Sequence, residues 1–389
     1  ADDAARTARY PGTLPDRQPV HTAYVPADRF TAQTPDRWGT AALRALDEHG
    51  PLPGPLRAQT DRVVAKLARE PIEDLRVDLE DGYGPHSVAD EDADAERTGT
   101  ALGELCHGPK APPFCGLRIR SLEAPTRRRG LRTLDRFLAA LLAVGPLPDG
   151  FRVTVPKVSS VAQVTAANDV LAALEVANHL PAGVLRYEIQ VELPQAVLGA
   201  DGTATVARLL GVAGTRCAGL HFGTYDYSAA LGIAAPFQAM DAPAADFAKD
   251  VMQAAAAGTG VPVSDGSTNV LPVGSRNDVH AAWELHARLV RRSLTRGLYQ
   301  GWDLHPAQLV TRYAATFAFF RESLPPVAAR LRGYLDRQES GIADEPATAV
   351  ALAGYLLRGL ACGAIDPEEL QSAHGLERQQ LEPLRARIV

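Results

Sequence analysis

Eight short β-rich runs alternate with longer helical patterns, and this alternation constrains the fold of the 389-residue chain more than any other feature. Each run is followed by a segment with apolar residues three or four positions apart, which is the spacing of a helix. The runs lie at 22–27, 75–80, 116–121, 151–158, 187–193, 217–223, 261–266 and 297–306. Parallel strands need long crossover connections, so eight strand–helix repeats are typical of a (β/α)8 barrel. We therefore predict the α/β class, a (β/α)8 TIM barrel with a C-terminal helical lid extension.

The segments that flank the alternating region differ from it. Residues 1–20 are polar and contain prolines, which predicts an N-terminal arm, and residues 21–323 form the predicted barrel catalytic domain. Residues 324–389 form the predicted C-terminal helical extension. Its segment "ADEPATAVALAGYLLRGLA" has a proline near its start, followed by apolar residues, as expected at the beginning of a helix. The sequence therefore predicts an arm, a barrel and a lid.

Composition excludes several classes of protein. Forty Lys and Arg against 46 Asp and Glu give a net charge of -6, which argues against a nucleic-acid partner. The longest apolar runs have about eight residues, whereas a membrane span needs roughly 20. The 4 cysteines include no CxxC pair. No P-loop, dinucleotide-binding fingerprint or serine-hydrolase elbow is present. We expect a cytoplasmic protein that acts on a small molecule and contacts neither nucleic acid nor membrane.

Acidic residues follow several of the predicted strands. Asp78, Glu80 and Asp81 end the second strand, Glu192 ends the fifth, and Asp226 follows the sixth. The active site of a barrel lies at the carboxyl ends of its strands, so these acids would repel one another unless a cation lay among them. Oxygen-only ligands suit Mg²⁺ or Mn²⁺. The same residues could instead cap the helices that follow the strands.

Basic and aromatic residues at the same strand ends permit more than one interpretation. Arg118 is suited to stabilising an enolate oxygen, or to pairing with Glu80. Lys157 could form a Schiff base with a ketone, although the surrounding acids favour a protonated lysine. We expect His305 to be a helix cap and His221 a core residue, and we expect Tyr83 to narrow the mouth of the barrel.

Seven short segments, in order along the chain, resemble the motifs of a known family. The chain resembles the HpcH/HpaI aldolase and citrate lyase beta subunit superfamily, which includes malyl-CoA lyase and has malate synthase as a distant cousin. The segments that carry the resemblance are "VDLEDG", "LRIRS", "VPKV", "QVELPQAV", "FGTYDYSAALG", "GWDLHPAQL" and "GIADEPATAVALAGYLL".

The resemblance implies roles for individual residues. Glu192 and Asp226 would bind the metal directly, and Asp78 and Glu80 would hold the metal's water molecules. Arg118 would face the carbonyl of the substrate. Asp344 would be the lid aspartate, which in lyases of this superfamily reaches the site of a neighbouring subunit and handles a proton.

The resemblance also implies an activity and an assembly. We expect a Mg²⁺- or Mn²⁺-dependent carbon–carbon lyase or aldolase that acts on a small hydroxy acid, or on its coenzyme A thioester, through an enolate. The alternatives are a malate-synthase-like condensation with thioester hydrolysis and a metabolite-binding barrel without turnover. A homo-oligomer, whether dimer, trimer or hexamer, is expected because the lid aspartate would serve a neighbouring subunit.

Overall fold

Eight parallel strands close into a barrel. The structure is a computed structural model and describes residues 2–12, 17–336 and 345–385. The strands are β1 (His21–Pro26), β2 (Asp74–Asp78), β3 (Phe114–Arg118), β4 (Phe151–Val155), β5 (Arg186–Val191), β6 (Cys217–Phe222), β7 (Val263–Ser264) and β8 (Gly301–Asp303). Neighbours along the chain pair with one another, β1 also pairs with β8, and a bridge between Ser264 and Gln300 joins the last gap. The predicted (β/α)8 barrel is confirmed.

Helices surround the barrel and extend beyond its last strand. Those between strands are α2 (Thr34–His49), α3 (Thr60–Arg69), α4 (Val88–Cys106), α5 (Arg127–Val144), α6 (Val161–Ala177), α7 (Pro194–Val197), α8 (Thr205–Ala213), α9 (Thr224–Ala230), α10 (Pro243–Ala256) and α11 (Arg276–Thr295). The terminal ones are α1 (Asp2–Arg9), α12 (Pro306–Glu322), α13 (Leu324–Leu335), α14 (Pro346–Cys362), α15 (Pro367–His374) and α16 (Arg378–Arg385). In the described part of the chain, none of these helices is long and apolar enough to cross a membrane.

Charged side chains fill the middle of the barrel, where aliphatic layers are common. Arg76 of β2 is fully buried and donates to Oε1 of Glu188, on β5, at 2.6 Å. The same guanidinium also pairs with Asp74, and Thr154 donates to the other oxygen of Glu188 at 3.0 Å. These alternating positions therefore point inward and are held by ion pairs that cross the barrel.

The described C-terminal helices pack at the amino ends of the strands. Leu357 and Cys362 of α14 line the same cavity as Phe114 and Arg152, which lie at the starts of β3 and β4. α14 also contacts α12, where the hydroxyl of Tyr355 donates to the carbonyl of Phe319 at 2.7 Å. The described extension thus lies opposite the carboxyl ends of the strands. The predicted domain boundaries remain predictions.

A candidate active site at the barrel mouth

Asp78, the last residue of β2, organises the turn that follows the strand. Its Oδ1 accepts a hydrogen bond from the amide of Glu80 at 3.0 Å, and its Oδ2 accepts one from the amide of Gly82 at 2.9 Å. A Cβ at position 82 would lie 2.5 Å from that second oxygen, so the close approach requires glycine. This turn places Glu80 and Asp81 at the carboxyl end of the barrel.

Arg118, the last residue of β3, is fixed by the same carboxylate. Its Nε and Nη2 donate to the two oxygens of Asp78 at 2.7 and 2.6 Å, and its guanidinium lies 4.8 Å from the ring centre of Tyr24. The remaining nitrogen, Nη1, lies 3.5 Å from Oε2 of Glu80. Burial alone would lower the pKa of Arg118, but Asp78 outweighs it and raises that pKa well above its usual value. Arg118 therefore provides a fixed positive charge.

Lys157 follows β4 and connects three acids. Its Nζ lies 2.8 Å from Oε1 of Glu80, 2.9 Å from Oδ2 of Asp81 and 2.8 Å from Oδ2 of Asp226. Its backbone has a φ of 51°, an unusual conformation for a residue with a side chain. Burial would lower the pKa of the amine, but the carboxylates around it, Glu192 first, raise it above its usual value. These contacts favour the protonated form of Lys157.

Glu192 is deeply buried at the mouth, with 2% of its surface exposed. Its Oε1 accepts a hydrogen bond from the backbone amide of Lys157 at 2.7 Å, and its Oε2 accepts one from the side-chain amide of Gln190. Gly223, which directly follows β6, passes beside it. A Cβ there would lie 2.5 Å from Oε2 of Glu192 and closer still to its Cβ. The glycine therefore makes room for this carboxyl group.

The surroundings of Glu192 disfavour its negative charge. Burial is the largest effect and raises its pKa to about 8, with Glu80 and Asp226 adding to the rise and Lys157 opposing it. Burial also raises the pKa of Glu80, and the charge of Asp81 adds to this. The positive charges of Arg118 and Lys157 therefore compensate the negative charges of the acids only in part.

The balance of charge follows from the side chains that meet at the mouth. Five carboxyl groups face two cationic groups: Asp78, Glu80, Asp81, Glu192 and Asp226 against Arg118 and Lys157. The cluster is therefore short of positive charge when all its acids are ionised. A site with these properties favours a small cation, or a substrate that carries one with it.

Most of the predicted site residues lie together. Glu192, Asp226, Glu80 and Arg118 come from different strand ends and share one cluster. The ammonium of Lys157 joins Glu80 to Asp226, and the backbone amide of the same residue donates to Glu192. Arg118 lies beside Glu80. Both oxygens of Asp78 already accept protein hydrogen bonds, so its described contacts are those of a residue that positions Arg118 and the turn. Asp344 lies outside the described residues, and its role remains a prediction.

Strand alternation would direct the side chains of the adjacent residues Glu80 and Asp81 to opposite faces. The structure instead brings Glu80 and Asp81 to the same ammonium group, at 2.8 and 2.9 Å. Strand alternation does not apply to either residue, because β2 ends at Asp78. The lysine of "VPKV" was the available signal that an acid must lie opposite it.

Other residues at the strand ends have structural roles. Nδ1 of His305 accepts from the amide of Ala307 at 3.2 Å and caps α12, as predicted. Tyr83 stacks on His86 with ring centres 3.8 Å apart and donates to Asp94 at 2.7 Å. Its hydroxyl is thus directed to α4, and in the described structure the side chain of Tyr83 makes no hydrogen bond to a carboxylate of the mouth.

Comparison with solved structures reveals the same architecture elsewhere. A citrate lyase from Burkholderia xenovorans LB400 superimposes with a TM-score of 0.59 at 19% identity, over 93% of this chain and 98% of the other. Haloferax volcanii malate synthase, in a magnesium and glyoxylate complex, gives a TM-score of 0.54 at 14% identity, over 97% and 100% of the two chains. The predicted resemblance to this superfamily is therefore confirmed at the level of the fold.

At the level of sequence, one family model accounts for nearly the whole chain. The model of DUF6986, described as a domain of unknown function, matches residues 1–388. The chain belongs to the DUF6986 family. A search of curated proteins finds no match.

Proposed function

We propose that this DUF6986 protein is a Mg²⁺- or Mn²⁺-dependent carbon–carbon lyase or aldolase. Its substrate would be a small hydroxy acid or the corresponding coenzyme A thioester, cleaved or formed through an enolate. The observation that carries the proposal is the acid cluster of the mouth, in which a buried Glu192 has its pKa raised to about 8 beside the fixed guanidinium of Arg118. The shared fold with citrate lyase and malate synthase supports the same class of reaction.

The residues of the mouth fit a divalent ion. Glu192 and Asp226 offer carboxylate oxygens, and Mg²⁺ commonly binds one or two carboxylates and keeps several water molecules. Within the residues that the structure describes, no three His, Cys, Asp or Glu side chains are already arranged to hold a metal. A site of two carboxylates completed by water and substrate needs no third side chain. The charge that such an ion adds would also lower the pKa of Glu192.

When bound, a divalent ion would polarise a carbonyl oxygen of the substrate as a Lewis acid. The chain's own residues would do the rest of the work. Arg118, held by both oxygens of Asp78, places a positive charge where an enolate oxygen develops its negative charge. The backbone amide of Lys157 and the side chain of Gln190 orient Glu192. The ammonium of Lys157 keeps Glu80 and Asp226 close together.

The proposal is tested by an assay for release of pyruvate, glyoxylate or acetyl-CoA from candidate hydroxy acids and their thioesters, with and without Mg²⁺. We expect activity to require the metal, and we expect Glu192→Gln and Asp226→Asn to abolish it. Glu96→Gln and Asp201→Asn are matched controls, because both acids are exposed and pair with surface arginines. Full activity in Glu192→Gln, or in metal-free protein, would contradict the mechanism.

A malate-synthase-like condensation is the second candidate, supported by a likeness to malate synthase that extends over 97% of this chain. That reaction hydrolyses the thioester, so free coenzyme A would be released when acetyl-CoA is mixed with a 2-oxo acid. A lyase would instead release acetyl-CoA from a hydroxyacyl thioester. Thiol titration of the two reaction mixtures separates the candidates.

We also propose a homo-oligomer. The described C-terminal helices lie at the end of the barrel opposite the acids, so a lid residue from this extension would serve the mouth of another copy more readily than its own. Light scattering on the purified protein tests this, and a monomer that is active at all concentrations would contradict it.

A further inference from the structure

A cavity of about 870 Å³ lies at the end of the barrel opposite the mouth. The first residues of several strands form its floor, and the last turn of α14 and the segment 256–263 form its walls. Gly12 and Arg17 also line it, whereas residues 13–16 lie outside the described part of the chain. The cavity is large enough for a small metabolite.

Two arginines share the floor of this cavity. Arg152 and Arg186 are register partners on β4 and β5, so their backbones are roughly 5 Å apart and their side chains lie on the same face. They donate to the backbone carbonyls of Phe151 at 2.7 Å and Cys217 at 3.1 Å. In the part of the chain that the structure describes, neither forms an ion pair with a carboxylate. Two adjacent guanidinium groups thus lack a counter-ion.

A third cation faces the same space. Arg358 of α14 lies 4.3 Å from the ring centre of Tyr299 and has no carboxylate partner among the described residues. Three acids of the described chain line the cavity. Asp74 and Glu188 are already paired with Arg76, and Glu382 is paired with Arg378, which also lines the cavity. The cavity therefore has an excess of positive charge, opposite to the excess at the mouth.

Several nitrogens at the cavity have no acceptor. Nε of Arg17, Nε of Arg186 and Nδ1 of His221 are buried without a hydrogen-bond partner within the described structure. Buried polar groups are rarely left without a partner unless a ligand or ordered water completes them. Burial lowers the pKa of Arg152, and the neighbouring charges of Arg186 and Arg76 add to this. An anion bound in the cavity would give these nitrogens an acceptor and would compensate the positive charge around Arg152.

We propose that this cavity binds a small molecule with a dianionic oxyanion group, either a phosphate monoester or a dicarboxylate, through Arg152 and Arg186. Planar guanidinium groups match the oxygens of phosphate and carboxylate and bind them in pairs. The apolar side chains of Phe114, Val261 and Leu357, on the walls, suit a ligand whose body is apolar. This site is separate from the acid cluster and does not depend on the proposed lyase activity.

Calorimetry with phenyl phosphate, inorganic phosphate and succinate tests the site and distinguishes the two kinds of anion. We expect phenyl phosphate or succinate to bind, and Arg152→Met and Arg186→Met each to weaken that binding roughly tenfold or more. Arg127→Met is the matched control, because this exposed arginine at the start of α5 lies elsewhere on the surface. Benzyl alcohol, which has a similar body and no charge, should not bind.

Two further measurements test whether this anion site exists and whether it is independent of the mouth. Glu192→Gln should bind phenyl phosphate as the wild type does, which separates this site from the mouth even if the proposed reaction fails. Crystals of the unaltered protein soaked in tungstate should show anomalous density between Arg152 and Arg186, and this does not require a variant to fold. Binding that is unchanged in both arginine variants, or tungstate found only outside the cavity, would overturn the proposal.

Discussion

Replacing Gly223 with alanine tests the candidate active site without changing the chemistry of any polar group. The backbone at this position has φ −100° and ψ 103°, a conformation that alanine adopts without strain. The added Cβ would lie 2.5 Å from Oε2 of Glu192, whereas ordinary contacts begin at 3.4 Å. The carboxyl group cannot escape by rotation alone, because the Cβ of Glu192 lies closer still. Glu192 must therefore move by about 1 Å.

A displacement of this size predicts a large loss of activity and a smaller loss of stability. Misplacement of a catalytic group by 1 Å lowers the rate by about 100-fold, and overpacking a core costs about 1–3 kcal/mol. The assay compares kcat/KM for the metal-dependent cleavage, together with Mn²⁺ affinity measured by electron paramagnetic resonance. Gly219→Ala, on the strand that precedes Gly223, is the matched control, because its added Cβ meets nothing nearer than 3.4 Å. Wild-type kcat/KM and Mn²⁺ affinity in Gly223→Ala would refute the assigned role of Glu192.

Three further substitutions test other parts of the structure. Burial would raise the pKa of Glu175, but hydrogen bonds, with Arg216 first, lower it from 4.5 to about 2. Arg216→Met should therefore reduce the free energy of unfolding by about 2–3 kcal/mol at neutral pH. That difference should fade as the pH falls from 4.5 toward about 2, as urea titrations would reveal. Lys157→Met should make the magnesium-induced rise in Tm larger than in the wild type, because three acids lose their shared ammonium; equal rises would contradict this. Arg118→Lys keeps the charge but loses the paired hydrogen bonds to Asp78, so kcat should fall by about 100-fold; steady-state kinetics would detect this, and an unchanged kcat would refute it.

The sequence predicts the barrel because its strands and helices differ in hydrophobic period. All eight predicted runs contain a strand, but their ends differ from the structure. The run predicted at 75–80 stops as a strand at Asp78, because that side chain bonds to the amides of the next turn. The run at 261–266 is reduced to Val263–Ser264. Strand ends depend on contacts with side chains that periodicity does not reveal.

The sequence predicts which residues meet at the candidate site, but it does not predict which of them form ion pairs with one another. Acids at strand ends indicate a shared mouth, because a parallel barrel brings all carboxyl ends to one side. The sequence does not reveal that Lys157 joins Glu80, Asp81 and Asp226, because Lys157 lies far along the chain from the adjacent pair Glu80 and Asp81, and also far from Asp226. The cavity at the opposite end was also missed. Its two central arginines, Arg152 and Arg186, lie at the starts of strands, whereas the active site of a barrel is expected at the carboxyl ends.

The ion pair between Arg76 and Glu188 has a consequence for how the barrel can be assembled. It joins the second strand to the fifth, so it connects the first four strands to the last four. A fragment that ended after β4 would hold Arg76 without this partner, and the complementary fragment would bury Glu188 without its guanidinium. The carboxyl-terminal half would thus bury a carboxylate without its guanidinium, whereas in the amino-terminal half Arg76 would keep Asp74 as a partner. Half-barrels expressed separately are therefore expected to be poor folding units, and to gain order only when the two halves associate.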